Sequence, residues 1–268
     1  MPHFTNDAVM TPQDLLLTLS KGATISWEAD AKLPFNHRSL HYFKVCDSTN
    51  TQTKTLLLKN SHPLPLVVAE QQTAGRGRMG RTWQAQAHQN LLFSMAMKPN
   101  LPIDRMASAV LVWAAAMAAA MDLWVKWPND LVDNQDRKVG GILSELVEAK
   151  TPVNEHGPSK SQHFVVLGIG INVNQTQFAA LPNATSLRTI SGHTVCRATV
   201  LSQLVAAIDQ CSLDAPDTLA QWRSRNRTIG RRVRIGQKEG MVTGIRADGA
   251  LLLDDEPVLA GDVELISS

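Results

Sequence analysis

The sequence predicts an α+β chain, with strands and helices in a larger domain followed by a small all-β domain. Three observations carry that expectation. The apolar runs LVVAE (66–70), NLLFSMAMK (90–98) and HFVVLGIGINVN (163–174) read as buried strands. The alanine-rich stretch from Ala107 to Met121 reads as a closely packed core helix. From Gly230 onward the texture changes to RRVRIG, GMVTGIRAD, GALLLDD, PVLAG and DVELIS, short alternating segments separated by glycine and aspartate.

A length of 268 residues suits one large domain and one small one. The expected division is an arm or stub over 1–39, a larger domain over 40–228 and a small domain over 229–268. A hydrophobic content of 44% is ample for a core, and a formal charge of +2 excludes a strongly basic nucleic-acid surface. Cys46, Cys196 and Cys211 are odd in number, widely spaced and form no CxxC, which argues against a disulfide framework or zinc site and for a reducing cytosol. The start, MPHFTNDAVM, lacks the layout of a signal peptide. The Ala107–Met121 run is shorter than the roughly 20 residues a bilayer requires. The reading is a soluble, cytoplasmic protein with no membrane partner.

Taken in order, Thr11-Pro12 resembles an N-cap with proline at the first helical position, opening a helix through DLLLTLSKG. The stretch to Arg38 is irregular, and the first forty residues are too few for a separate winged helix with its own core. HYFKVC (41–46) is a strand, and Asp47 to Asn50 a turn that caps the helix TQTKTLLLKN. LVVAE feeds, and NLLFSMAMK leaves, a glycine–arginine loop, so the loop is pinned between core strands. Leu123 to Lys126 is a strand that ends in a Trp127-Pro128-Asn129-Asp130 turn, and RKVGGILSEL enters another. Residues 150–162 form a polar hairpin loop. Bulky and small residues alternate from His163 to Asn174, as in a strand that something approaches closely. Gln175 to Thr194 is a long loop, Ala198–Leu213 and Pro216–Arg225 are helical, and Asp248-Gly249 is a hairpin turn.

The loop itself, GRGRMGRTW from Gly75 to Trp83, combines glycines that let backbone approach a ligand with permanently charged arginine forks. That composition is an anion cradle. Gly75, Gly77 and Gly80 satisfy GxGxxG, but no helix follows and Asn100 stands where a dinucleotide site needs an acid. The P-loop pattern fails because Arg81 replaces its lysine. Taken singly, Lys126 and Lys138 also read as surface lysines, Trp83 as a core residue and DSTN as a plain helix cap.

Together, DSTN at Asp47, QQTAGRGRMGRTW at Gln71, KWPNDL at Lys126 with RKVGGIL at Arg137, and GIGINVN at Gly168 closely resemble biotin protein ligases. The resemblance runs from Leu40 to Ser268 and continues through GALLL…GDVEL. The sequence lacks the N-terminal DNA-binding winged helix of bifunctional members, so it resembles the ligase-only form. Met79 departs from an arginine found there in some relatives. The resemblance implies a class II aminoacyl-tRNA synthetase-like fold, a mixed sheet with helices, plus a small SH3-like β-barrel. It implies two substrates, biotin and Mg2+-ATP, and an acceptor lysine on the biotin carboxyl carrier domain of acetyl-CoA carboxylase. No DNA partner is expected, and the chain would be a monomer or homodimer.

By the same resemblance, Ser48, Thr49, Asn50 and Gln72 hydrogen-bond the ureido head of biotin. Arg76, Gly77 and Arg78 wrap biotin and adenylate, and Trp83 packs the thioether ring or closes the loop. Lys138 contacts both the biotin carboxyl and the α-phosphate, while Lys126, Asn129 and Asn172 border the adenylate. The segment after Asn174 covers it. Asp130 orients or deprotonates the acceptor amine; an aspartate bonded to Lys126 or Arg76 is the alternative. Mg2+ arrives with ATP, with no protein ligand assigned. The rivals are a lipoate ligase or octanoyl transferase of the same fold, a non-catalytic biotin-sensing regulator and an inactive biotin-binding scaffold.

Overall fold

A computed structural model describes residues 8–9, 37–59, 63–150, 161–178, 181–213 and 217–266. The strands of the larger sheet are β1 (Ala8–Val9), β2 (Arg38–Cys46), β3 (Leu64–Gln72), β4 (Leu91–Met97), β5 (Trp124–Lys126), β6 (Asp130–Val132), β7 (Lys138–Lys150) and β8 (Ser161–Ile171). Their order is β1-β2-β3-β4-β8-β7-β6-β5. Only β2 and β3 run parallel among these pairs, because a helix, α1 (Thr49–Lys59), intervenes between them. The sheet is therefore mixed, as expected.

Alternation along the strands sorts the sheet into two faces. Leu91, Phe93 and Met95 of β4 and Val165, Leu167, Ile169 and Ile171 of β8 join the main core with α2 (Met106–Ala120), α4 (Arg197–Asp209) and α5 (Ala220–Ser224). Ala96, Phe164 and Val166 point the other way and pack with Leu57 of α1. The candidate site lies on the α1 face. Helix α2 is apolar nearly all round because it is buried nearly all round. With its leading 3-10 turn the helical stretch Ile103–Ala120 reaches 18 residues, long and apolar enough for a minimal span and longer than the run read from sequence. In the fold it is the core helix, packed on α4 and α5.

Several sequence expectations are corrected in extent. Strand β2 starts at Arg38, where the guanidinium donates to the Ala96 carbonyl at 2.8 Å and pairs with Asp209 at 2.6 Å. The Trp127–Asp130 turn runs at Asp130 into strand β6, where no strand is expected, and the Gln175–Thr194 loop contains the short helix α3 (Leu187–Ser191). The helical part of 216–225 shortens to α5. The helix expected after Pro12 and the loop expected over 150–162 lie, apart from the ends of β7 and β8, outside the described residues.

The small domain is a five-stranded antiparallel sheet ordered β12-β11-β10-β9-β13, from β9 (Arg232–Ile235), β10 (Lys238–Ile245), β11 (Leu251–Leu253), β12 (Glu256–Val258) and β13 (Val263–Leu265). The hairpin turn at Asp248-Gly249 is present, with Gly249 at φ +89, a backbone region open to glycine. This turn docks on Trp127, whose Nε1 donates to the Gly249 carbonyl at 3.1 Å. Val233, Val242, Leu251 and Val263 belong to the same hydrophobic cluster as α2.

Candidate functional site

The glycine–arginine loop closes on itself before it presents any side chain. Trp83 N donates to the Gly75 carbonyl at 2.9 Å, Gly77 N to Arg81 at 2.7 Å and Arg81 N to Arg78 at 3.1 Å. Thr73 and Ala74 then donate to the carbonyls of Cys46 and Asp47, stitching the loop's root to the DSTN turn. These backbone bonds fix where the arginines leave the chain, which is how a charged cradle is preorganised.

One pocket gathers nearly all the expected residues. Ser48, Thr49, Asn50 and Gln72 line one part, Arg76, Gly77, Arg78 and Trp83 the loop side, and Asn129, Asp130, Lys138 and Asn172 the remainder. Lys126 is not among the lining residues. It sits opposite Asp130 in the β5–β6 register, one residue behind the wall. Burial lowers its pKa, and nearby Lys138 lowers it further against the opposing pull of Asp130.

The floor explains the alternation of bulky and small residues in β8. A Cβ on Gly168 would run into the Asn50 amide, and one on Gly170 would lie 2.5 Å from Trp83 Cε2. The closely approaching groups are therefore the DSTN cap and the loop tryptophan. Gly141 on β7 lies beneath Trp83 and Lys138 in the same way. Trp83 thus spans two strands, with Lys138 Nζ 5.7 Å from its ring. Its Nε1 is buried without a hydrogen-bond partner among the described residues, packed against Gly170 of β8.

At the polar end, Gln72 Oε1 accepts from Thr49 N at 2.7 Å and Thr49 Oγ1 at 3.0 Å, which leaves Nε2 as the group Gln72 can offer a ligand. The Ser94 hydroxyl is shared between Thr49 Oγ1 at 2.7 Å and Asn50 Oδ1 at 2.6 Å. Asn50 Nδ2 donates to the Leu143 carbonyl and to Glu145. Thr49 and Asn50 are therefore largely engaged within the protein and hold the shape of this end.

At the cationic end, Lys138 Nζ donates to Asp130 Oδ1 at 2.6 Å. This corrects the expected partners: Asp130 bonds Lys138 rather than Lys126 or Arg76, and Arg76 pairs with Glu145 at 3.0 Å. Arg78 donates to the Gly261 carbonyl at 3.2 Å and stands 3.8 Å from Asp262, which also pairs with Arg81. Burial lowers the Arg78 pKa, Arg81 adds to that, and Asp130 opposes it. The segment after Asn174 folds back over the site: Lys138 N donates to Asn183, Thr185 N to Lys138, and Asn172 Nδ2 to Thr185. Asn129 is occupied with Ile142, donating Nδ2 to its carbonyl at 2.8 Å.

The sequence from 42 to 157 matches the biotin/lipoate A/B protein ligase family. A bifunctional ligase/repressor BirA of Bacillus spizizenii is 32% identical over 84% of this chain and 74% of its own length. A biotin–[acetyl-CoA-carboxylase] ligase of Mycobacterium tuberculosis is 34% identical over 74% of this chain and 73% of its own. The chain belongs to the biotin protein ligase family. In structure it is similar to the biotin protein ligase of Aquifex aeolicus in complex with biotin and ATP, with a TM-score of 0.67 and 26% identity over 85% of this chain and 99% of that one.

Against the motifs of a biotin protein ligase, sequence reasoning missed Ser94, Glu145 and Asp262. Two of them left a signal. Ser94 is a lone polar residue in the buried strand LLFSMAM, on the same face as the pocket residue Leu92. Glu145 follows Gly141 and Leu143 at a period of two, which places it on the pocket face of β7. Asp262 left none, because its meeting with Arg78 depends on the docking of the small sheet.

Proposed function

We propose that this protein is an ATP-dependent biotin protein ligase acting in two steps on one site. In the first, the biotin carboxylate attacks the α-phosphorus of ATP, forming biotinyl-5′-AMP and releasing pyrophosphate. In the second, a lysine amine of a biotin carboxyl carrier domain attacks the acyl carbon, AMP leaves and an amide remains. The supporting observation is that one pocket brings together the hydrogen-bonding groups of Ser48 and Gln72 and the cations Arg76, Arg78 and Lys138.

The geometry fits the charges involved. A carboxylate approaching a polyphosphate must be screened, and cations fixed in place do this without reorganising. In this reading Lys138 holds the carboxyl and the α-phosphate, and Arg76 and Arg78 hold the adenylate. Ser48 and the Nε2 of Gln72 meet the ureido ring, with Thr49 and Asn50 shaping that end. Trp83 covers the thioether ring, with Gly77 leaving room beside it. Asn129, Asn172 and Lys126 border the nucleotide, Lys126 by its charge from behind the wall. Asp130 orients Lys138 and, in the second step, the incoming amine. Mg2+ enters with ATP as part of the substrate. The segment 181–185 keeps water from the mixed anhydride.

The reading places these residues in 40–228, with 229–268 a small SH3-like domain that reaches the arginine loop through Asp262. It also includes a cytosolic site of action, in keeping with three cysteines that are odd in number and widely spaced. The protein would work as a monomer or homodimer without a DNA partner. ATP–pyrophosphate exchange with biotin, lipoate or octanoate supplied separately tests the activity. Exchange with biotin alone is expected. Exchange with lipoate or octanoate alone would make it the lipoate-type enzyme, and exchange with none a binding protein or regulator.

A further inference from the structure

Glu145 does not line the pocket, yet it takes hydrogen bonds from three side chains on two elements that do, helix α1 and the glycine–arginine loop. Its Oε2 accepts from Asn50 Nδ2 at 2.8 Å and from Arg76 at 3.0 Å, and its Oε1 accepts from Lys54 Nζ at 2.8 Å. Asn50 belongs to the DSTN cap, Lys54 lies one turn further along α1, and Arg76 comes from the glycine–arginine loop. Glu145 itself stands on β7, four residues past Gly141, on a strand paired along its length with β8. A strand paired on both sides of the site thus presents one carboxylate to both the polar cap and the loop cation Arg76.

We infer that Glu145 is a positioning residue for biotin, setting Arg76 over the pocket through their ion pair while it fixes the Asn50 amide. An isolated exposed ion pair does little for stability. A carboxylate shared by two cations and an amide, with its side chain only 24% exposed, instead restricts the directions each donor can take. Its charge state agrees: burial would raise the Glu145 pKa, but the bonds from Lys54 and Asn50 and the charge of Arg76 together hold it below the ordinary value. Asn50 is in turn held from its other side by Ser94 and seated on Gly168, so its orientation is determined by Glu145 and Ser94 together. The inference rests on the reading of this pocket as a biotin site.

Glu145→Gln tests it. Glutamine keeps the shape and an acceptor for Asn50 but removes the charge that holds Arg76 and Lys54. In ATP–pyrophosphate exchange the KM for biotin should rise about ten- to a hundredfold, with kcat within about threefold of wild type. A merely structural loss would lower kcat through the active fraction and leave KM alone. Calorimetric biotin affinities of Arg76→Ala, Glu145→Gln and the double variant complete the test. If Glu145 acts through Arg76, the glutamine substitution changes affinity less than about threefold once Arg76 is gone. An unchanged KM in Glu145→Gln, or the same loss in both backgrounds, overturns the inference while leaving the ligase reading intact. Wild-type protein that fails to exchange with biotin removes that reading, and the inference with it.

Discussion

Asp130 and Lys138 are joined across the β6–β7 hairpin, with Lys138 Nζ 2.6 Å from Asp130 Oδ1, and Lys126 faces the same carboxylate from β5. One acid thus bonds one lysine at the pocket wall and acts through space on the charge of a second behind it. Lys138→Ala should reduce exchange by about a hundred- to a thousandfold, the scale of losing one preorganised charge donor. Asp130→Asn should cost less, about tenfold, because Lys138 survives but loses its orientation. Comparing exchange with transfer to a carrier domain separates the two roles of Asp130. A variant that exchanges normally and transfers slowly would place it on the acceptor amine and not on Lys138.

Gly170→Ala probes the floor. The new methyl would lie 2.5 Å from Trp83 Cε2, and Gly170 is fixed between β4 and β7, so the indole must move. The expected destabilisation is about 1–3 kcal/mol. Biotin affinity should fall more than the melting temperature would suggest, since the displaced ring covers the pocket. Calorimetry beside a thermal melt checks this, and unaltered biotin binding would take Trp83 out of the site.

Ending the chain at Thr228 should not yield a clean catalytic fragment. The small sheet supplies Val233, Val242, Leu251 and Val263 to the main core and covers the buried Trp127 through Gly249. Both half-reactions should be lost together with solubility or melting temperature. A truncated chain that melts like the full one would show that the small sheet is separable.

Acid should weaken the fold through Glu145 and Asp136. For each, burial would raise the pKa, but hydrogen bonds and cations outweigh it: Lys54, Asn50 and Arg76 for Glu145, and Arg227 and Arg231 for Asp136. Their folded values therefore lie below the ordinary 4.5 and 3.8. The stability they add is complete above those values and is lost as pH falls through the lower folded ones. Denaturant melts from about pH 7 to about pH 3 should show little change from these groups until near pH 4.5 and a decline below it. Glu145→Gln should flatten that decline, and an identical acid limb would exclude Glu145 as a contributor.

The larger fold was legible because its signals are local. LVVAE, NLLFSMAMK and the alternating HFVVLGIGI are buried strands, and the glycines of that last strand do lie under Asn50 and Trp83. Strand β6 was missed because three residues beside a proline turn carry no period to read. Among site residues, the loop arginines and Lys138 announce themselves by charge beside glycine. The pairings do not: Asp130 with Lys138, Arg76 with Glu145 and Arg78 with Asp262 depend on strand register and on docking of the small sheet. Sequence spacing shows that these cations are available, whereas only the fold shows what holds them.

The account stands on a cationic pocket that makes an activated biotin and keeps it. The most direct measurement is to incubate the protein with biotin and Mg2+-ATP, pass it rapidly through gel filtration and determine bound biotinyl-5′-AMP by mass spectrometry. About one equivalent should co-elute with the wild-type chain, and almost none with Lys138→Ala. A wild-type chain that elutes without adenylate while binding both substrates would contradict the account.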